Sequence, residues 1–335
     1  MFKGELIKVN MKNMNHRLIS RLVLILSFSF FVISCDDSDD DDSELGNWVQ
    51  SSYFEGQPRS GAVVFTIDNK AYVGLGYDGD DYFSDFYAYD PDRELWGDVA
   101  PFPGASRERA VAFSVNGKGY VGLGYNRDLD TEELKDFWEY DPTLNTWSQI
   151  ADFTGTARYN AVAFAIGSRG YVGTGYDGDY YRSDFFSYDP TTNTWIEIAN
   201  FPGGKREEAL AVVHSGKAYF MTGRNNGVYN SDLWVFDPEG EKVWTEITPD
   251  DEEDYYDEFV AAVRRHDANA LVLNDKIYIV NGNTGSTSST VYEFNPLTGF
   301  WDTKTSFEGS ERYLGIAFTL QNRGFVGLGQ NSTRR

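Results

Sequence analysis

From residue 48 onward, apolar residues fall in short runs divided by polar turns, and the runs recur. Stretches such as AVVFTI (62–67) and AVAFAI (161–166) are almost continuously apolar, the pattern of a strand covered on both faces. Short turns follow, DNK, NGK, GSR, SGK, NDK or QNR, and Asn116-Gly117 is the strongest hairpin signal among them. A second apolar segment comes next, AYVGLGY (71–77), GYVGLGY (119–125) or GYVGTGY (170–176), whose glycines let neighbouring groups approach closely. A third reads DFYAYDP (85–91), DFWEYDP (136–142), DFFSYDP (184–190), DLWVFDP (232–238) and TVYEFNP (290–296). The proline turns the chain into an outer strand opened by a tryptophan. Each unit is therefore predicted to be a four-stranded antiparallel sheet.

The period is regular. An arginine leads the apolar run at Arg59, Arg107, Arg158, Arg206, Arg265 and Arg312, and only the step from Arg206 to Arg265 is markedly longer than the rest. In all six units a glycine follows at one unchanging spacing, at Gly76, Gly124, Gly175, Gly223, Gly282 and Gly329. A tryptophan precedes the arginine, again at one spacing, at Trp48, Trp96, Trp147, Trp195 and Trp301. Trp244 lies further from Arg265 and so marks an insertion between them. Such a sheet cannot bury both faces alone and must pack against its neighbours around an axis. Trp147 is expected to be a buried wedge between blades two and three.

The leading Arg, the aromatic and glycine ending the second strand, the Tyr-Asp-Pro and the Trp together resemble the kelch family of β-propellers over residues 48–335. The resemblance implies an all-β fold, a six-bladed kelch-type β-propeller. Where that family has a Gly-Gly doublet, three units here have Gly-Leu-Gly and one has Gly-Thr-Gly, which leaves the register open. Trp48 has the spacing of a fourth strand with no unit before it, so the last blade is expected to be closed by this N-terminal strand. The sixth unit stops shortly after Gly329, too soon for its third strand. Either that blade lacks one strand or the sequence is truncated, and the exposed edge a gap would leave favours truncation.

Composition and charge narrow the function. Hydrophobic residues make up 41% of the chain and aromatics 16%, which excludes global disorder. A net charge of -23 excludes a nucleic-acid partner, since neutralising phosphates takes clustered Lys and Arg. One cysteine and three histidines leave no disulfide framework and starve a thiolate or histidine metal site, so no metal or other cofactor is expected.

The N-terminus carries Lys3, Lys8, Lys12, Arg17 and Arg21 against Glu5, then the apolar run LVLILSFSFFVIS (22–34), too short to span a bilayer. Val32, Ile33, Ser34 and Cys35 resemble a bacterial lipobox. This implies a lipoprotein signal peptide over residues 1–34, with Met11 and Met14 as alternative starts, and a lipid anchor on Cys35. Residues 35–47, with DDSDDDDSE at 36–44, read as an acidic flexible tether. The acidic run resembles the export signal of surface lipoproteins of Bacteroidetes-like bacteria, and a plain spacer is the equal alternative. The expectation is a protein held in the outer membrane, at the cell surface or on the periplasmic face.

Connections from fourth to first and from second to third strand share one face of such a propeller. The insertion PDDEEDYYDEF (249–259) and the aromatic, acidic loops at 77–84, 125–135 and 176–183 fall there. Because the leading Arg recurs, it is read as a structural contact. The next two positions vary: Ser60 and Gly61, Glu108 and Arg109, Tyr159 and Asn160, Glu207 and Glu208, His266 and Asp267, Tyr313 and Leu314. Polar residues interrupting an apolar strand at the mouth of an axial channel call for water or ligand. Arg109, Tyr159, Asn160, Glu207, Glu208, His266, Asp267 and Tyr313 are therefore the ligand-binding candidates. His214, aligned with apolar residues of the other units, reads as a tolerated strand end. Asp78, Asp80 and Asp81, with Asp177 and Asp179, could offer oxygens to calcium, but solvated loops are the better account, and the EF-hand spacing is absent.

Three function classes follow. One is a non-catalytic, surface-displayed module for an unknown glycan or protein ligand, with Tyr and Trp as stacking surfaces. Another, from the similarity to N-acetylneuraminate epimerase propellers, is a sugar epimerase or mutarotase with Glu208 as base and Arg109 holding a carboxylate. The third is a scaffold in an envelope complex. Binding is the reading adopted. The resemblance to galactose oxidase ends at the propeller, because the Cys its copper site needs is committed here to the lipid.

Overall fold

The computed structural model describes residues 5–9, 48–247 and 262–331. Six four-stranded antiparallel sheets stand around a central axis, with strands of the first five sheets paired in chain order from the inside outward. Blade one comprises Val63–Ile67, Lys70–Gly74, Phe86–Asp90 and Leu95–Val99. Blade two repeats it with Val111–Val115, Lys118–Gly122, Phe137–Asp141 and Thr146–Gln149. Blades three, four and five follow from Val162–Ile166, Leu210–His214 and Asn269–Leu273 as their inner strands. A six-bladed β-propeller is thus what the repeat builds.

The inner strand is not covered on both faces as its apolar run suggested. Val63, Phe65 and Ile67 are buried between blades, while Val64 and Thr66 alternate with them and line the axial channel. The second strand is the one buried throughout, for example Ala71 to Gly74. Between blades the seams are aromatic. Trp147, on the outer strand of blade two, faces blade one and not blade three. It packs on Phe86 and Phe102 and donates its indole N–H to the Ala100 carbonyl at 2.9 Å. Trp195 makes the same bond to Ala151 at 3.0 Å, so each of these tryptophans reaches back to the preceding blade.

Blade six departs from the expected composition. Its inner pair is Ile316–Leu320 and Arg323–Gly327, and Trp48–Tyr53 closes it from outside as anticipated. The third place is not empty. Glu5–Val9 lies there, pairing Leu6 with Gly327 and Val9 with Gly324 on one side, and Lys8 with Val49 and Val9 with Trp48 on the other. The physical reason is the edge: an open third place would strand the backbone groups of two neighbouring strands. The strand falls within residues 1–34, the range read as a leader. The rest of that range, Cys35, the tether and the acidic insertion at 249–259 lie outside the described residues.

Candidate functional site

Two layers are built from adjacent residues at one end of the axis. The first is a clamp. Arg107 is wholly buried, its Nη1 donates to the Leu123 carbonyl at 3.0 Å, and both terminal nitrogens grip Asp136 at 2.6 and 2.9 Å. Arg158 holds Asp184 and Arg206 holds Asp232 in the same fork, as Arg59 does Asp85. The aspartate opening the third strand is thus the partner of the leading arginine. Burial pushes the Asp136 carboxyl up, but the hydrogen bond and charge of Arg107 outweigh it and hold the group below its ordinary value. Blade five has Thr290 in that place, at 3.0 Å from Arg265, and burial pushes the Arg265 guanidinium down to about 10.

The glycine that follows each arginine at fixed spacing sets the register. Leu75 and Gly76 both have positive φ, 61° and 100°, so the leucine occupies a left-handed position that the usual doublet would give to glycine. A Cβ on Gly76 would sit 2.8 Å from the Ser60 carbonyl oxygen. Its N–H donates to the carbonyl of Arg107 in the next blade at 2.8 Å, and the pattern closes when Gly329 donates to Arg59 at 2.8 Å.

The second layer is a ring. Two positions after each arginine stand Gly61, Arg109, Asn160, Glu208, Asp267 and Leu314, all with φ between 52° and 62°. Each N–H donates to the carbonyl of the ring residue one blade back: Arg109 to Gly61 (2.8 Å), Asn160 to Arg109 (3.3 Å), Glu208 to Asn160 (3.0 Å), Asp267 to Glu208 (3.3 Å) and Leu314 to Asp267 (3.1 Å). Gly61 donates to Leu314 at 2.9 Å and completes the circle. Glycine is the least strained residue in this conformation, yet five of the six carry side chains. The ring and the small residues beside it line a cavity of about 140 Å³, and further along the axis a cavity of about 390 Å³ is lined by apolar and small residues such as Val64, Ala112 and Val213.

Charge concentrates on one arc of the ring. Glu208 is buried and receives Arg109 at 3.1 Å, Asn160 at 3.1 Å and Arg224 at 3.0 Å on Oε1, while His266 Nδ1 lies 2.8 Å from Oε2. Burial pushes this carboxyl up, but the His266 hydrogen bond and the Arg109 charge prevail and leave it lowered. Burial disfavours the charge on His266, but its bonds to Asp267 at 3.0 Å and to Glu208 lift it to about 9, so it is an imidazolium at neutral pH. Glu108, Glu207 and Asp267 are pushed up, in each case first by burial. Ligand-type atoms of Glu208, His266 and Asp267 lie within 4.8 Å of one another. The imidazolium already supplies the cation there, and Arg109 and Arg224 converge on the same carboxylate, so the trio is an ion-paired network.

Around this mouth runs an arc of half-buried tyrosines. Tyr77 stacks on Tyr82 at 4.5 Å, Tyr125 meets Tyr159 at 4.9 Å, and Tyr176 meets Tyr159 at 5.8 Å and Tyr181 at 4.9 Å. Arg127 lies over Tyr77 at 5.2 Å, and Tyr229 sits 5.1 Å from the His266 ring. Burial and the Glu207 charge push the Tyr159 hydroxyl up to about 12.

Of the candidates, Arg109, Asn160, Glu207, Glu208, His266 and Asp267 converge on one network, with Asn160 donating to Glu207 at 2.8 Å. Tyr159 belongs to the aromatic arc, and Tyr313 pairs with Gln330 on the same rim. Glu208 and Arg109, the alternative base and carboxylate holder, are paired with each other. Arg224, Tyr77, Tyr125 and Tyr176 join the mouth as well; the sequence shows them only as the first residues of the variable loops, not as individual candidates. Their signal is their place, immediately after the recurring glycine, which pairs them with the residue after the arginine, as in Glu207 with Arg224. The acidic loops are self-contained turns: Asp78 Oδ1 accepts from the N–H groups of Asp80 and Asp81, and Asp177 Oδ1 from that of Tyr180. His214 ends its strand beside Ser215.

Comparison with known proteins agrees with this architecture. The family model described as KLHDC2/KLHL20/DRC7 Kelch-repeats domain matches residues 153–282, and that of N-acetylneuraminate epimerase matches residues 57–185. No curated protein matches. A solved structure titled "Structure of YjhT" superposes with a TM-score of 0.66 at 18% identity, covering 79% of this chain and 89% of that one, a likeness of fold. The repeats are kelch repeats, and the molecule is a six-bladed kelch-type propeller.

Proposed function

We propose that this propeller is a non-catalytic binding module whose ligand is a neutral or amino sugar of a glycan, received on the tyrosine arc at the charged mouth. The observation that carries the reading is the arc itself, Tyr125, Tyr159 and Tyr176, set beside a network with four carboxylates and three cations. Aromatic faces suit the C–H faces of sugars, and buried carboxylates accept hydroxyl or ammonium donors. Burial raises Glu108, Glu207 and Asp267, so the charged form of each carries a desolvation cost that an approaching cation lowers and an approaching anion increases, which favours such donors. Arg109 already gives its Nη1 to Glu208 and Asn160 and lies beside Glu108, so a ligand carboxylate would have to compete with carboxylates already in place. Calorimetric titration with neutral, amino and acidic sugars should show binding of the first two classes only. Tyr159→Ala should weaken it at least tenfold, about 1.4 kcal/mol. Preference for acidic sugars, or indifference to Tyr159→Ala, contradicts the reading.

Anchoring belongs to the same proposal: the lipobox-like sequence ending at Cys35 supports a lipoprotein held at the outer membrane by acyl chains. Fatty-acid labelling that persists in Cys35→Ser would refute it.

The epimerase alternative draws on the match to the N-acetylneuraminate epimerase family model and on the buried Glu207 and Glu208 pair. It predicts accelerated anomer exchange of sialic acid by NMR, lost in Glu208→Gln. The binding reading predicts none.

A further inference from the structure

The third place of blade six is filled by residues that lie far from the rest of that blade along the chain. Glu5-Leu6-Ile7-Lys8-Val9-Asn10 follows the same order as Thr290-Val291-Tyr292-Glu293-Phe294-Asn295 in blade five, with apolar residues at the same three positions. The structure uses them identically. Leu6 opposes Gly327 as Phe86 opposes Gly74 in blade one, and Val9 opposes Gly324 as Tyr89 opposes Ala71. Leu6 is buried against Phe54, Tyr89 and Trp96 on the blade-one side, and Ile7 and Val9 against Leu271 and Phe307 on the blade-five side. Lys8 forms an ion pair with Glu94 of blade one. The apolar residues of this short strand thus serve two seams.

The strand is joined to Trp48 through residues 10–47, and the same stretch carries the basic and apolar pattern of a leader ending at Cys35. The two uses exclude each other: a chain cut before Cys35 has no Glu5–Val9. Among the described residues, what then remains is a slot one strand wide, with the backbone of Gly324–Gly327 on one side and that of Trp48–Tyr53 on the other. Both edges would carry unpaired N–H and C=O groups, the template for strand addition.

We propose that the third place of blade six is a strand-docking site, filled in cis by residues 5–9 and, in a chain cut before Cys35, by a strand of the same acid–apolar–x–x–apolar chemistry donated by another polypeptide. The second state rests on the leader reading. The docking capacity does not, and it is tested separately. Apolar residues in the second and fifth positions of the incoming strand meet the two seams, and main-chain bonds supply the rest.

The full chain carrying Cys35→Ser serves as the background. With Lys8→Cys and Val49→Cys, whose parent residues face each other across the strand pair, dibromobimane should bridge the two thiols. Lys8→Cys with Gln50→Cys, one position out of register, should bridge at least tenfold more slowly. For docking in trans, the slot is vacated by Leu6→Asp with Val9→Asp, keeping Val49→Cys. A synthetic peptide of residues 3–11 carrying Lys8→Cys should then be captured saturably. Capture should fall at least tenfold when the peptide also carries Leu6→Asp. Failure of the cis bridge overturns the seating. A cis bridge without capture in trans overturns the docking site and leaves an ordinary closing strand. Unfolding of the vacated chain, read by tryptophan fluorescence, overturns it too, because a slot that cannot stand open cannot be shared.

Discussion

Arg107 and Arg109 are near neighbours in the chain and carry the same charge, yet they work in different directions. Arg107 stays within its own blade, buried in a fork with Asp136 and a carbonyl at the end of the second strand. Arg109 leaves its blade and crosses the axis to Asn160 of blade three and Glu208 of blade four. The first contact recurs from blade to blade because each presents a similar turn. The second cannot, because six identical charges around one axis would repel each other. Repetition therefore marks the framework, and variation just beyond it marks the surface proposed here to meet a ligand. The clamps rigidify the backbone that the ring needs to hold side chains in a left-handed conformation.

That contrast can be broken most severely at the clamp. Asp136→Ala leaves Arg107 buried without its carboxylate and should cost about 3–5 kcal/mol, read from the denaturant midpoint. Blade five supplies the converse: among the described residues Arg265 has Thr290 where the other forks have an aspartate, and Thr290→Asp should raise stability by about 1 kcal/mol. Equal and small effects in both would mean the forks are incidental.

A smaller effect is expected in the ring's ion network. His266 titrates at about 9 in the fold against about 6.5 when exposed in the unfolded chain. A raised cationic group stabilises fully below the unfolded value and ceases to do so as pH rises through the folded one. The stability difference between wild type and His266→Gln, on the order of 2 kcal/mol at pH 6, should shrink between about pH 6.5 and 9 and vanish by about pH 10. Thermal melts across that range check it, and a difference independent of pH would contradict the assigned imidazolium.

The smallest effect is expected at Leu314, the apolar member of the ring. Leu314→Gly relieves a φ of 55° while giving up a half-buried side chain, so stability should stay within about 1 kcal/mol of wild type. A loss comparable to that of Asp136→Ala would show that ring and clamp are not separable.

Much of this is legible because the repeat is strict. The Arg-to-Gly spacing places every blade, and the orphan Trp48 announces closure. The partner of the arginine is visible as the aspartate of DFYAYDP and its cognates, but spacing alone does not say which polar groups meet across a turn. The seam that Trp147 covers is likewise hidden, since the twist of a sheet decides which neighbour its outer strand meets. The third strand of blade six escapes notice because Lys3 and Lys8 near an apolar run also fit a leader, and that pattern masks the strand pattern of ELIKVN. Variation finds the mouth candidates. It does not find their mutual pairing, because the polar contacts across the axis join residues 51 and 99 positions apart.

Whether ligand meets the ring and its tyrosine arc, as proposed, can be read from fluorotyrosine NMR. With resonances assigned by single Tyr→Phe replacements, titration with an amino sugar should move Tyr125, Tyr159 and Tyr176 along one saturable curve. Tyr89 and Tyr188, buried in the blade seams, should stay in place. Shifts at Tyr89 or Tyr188 with the arc unmoved would contradict a ligand site on the arc.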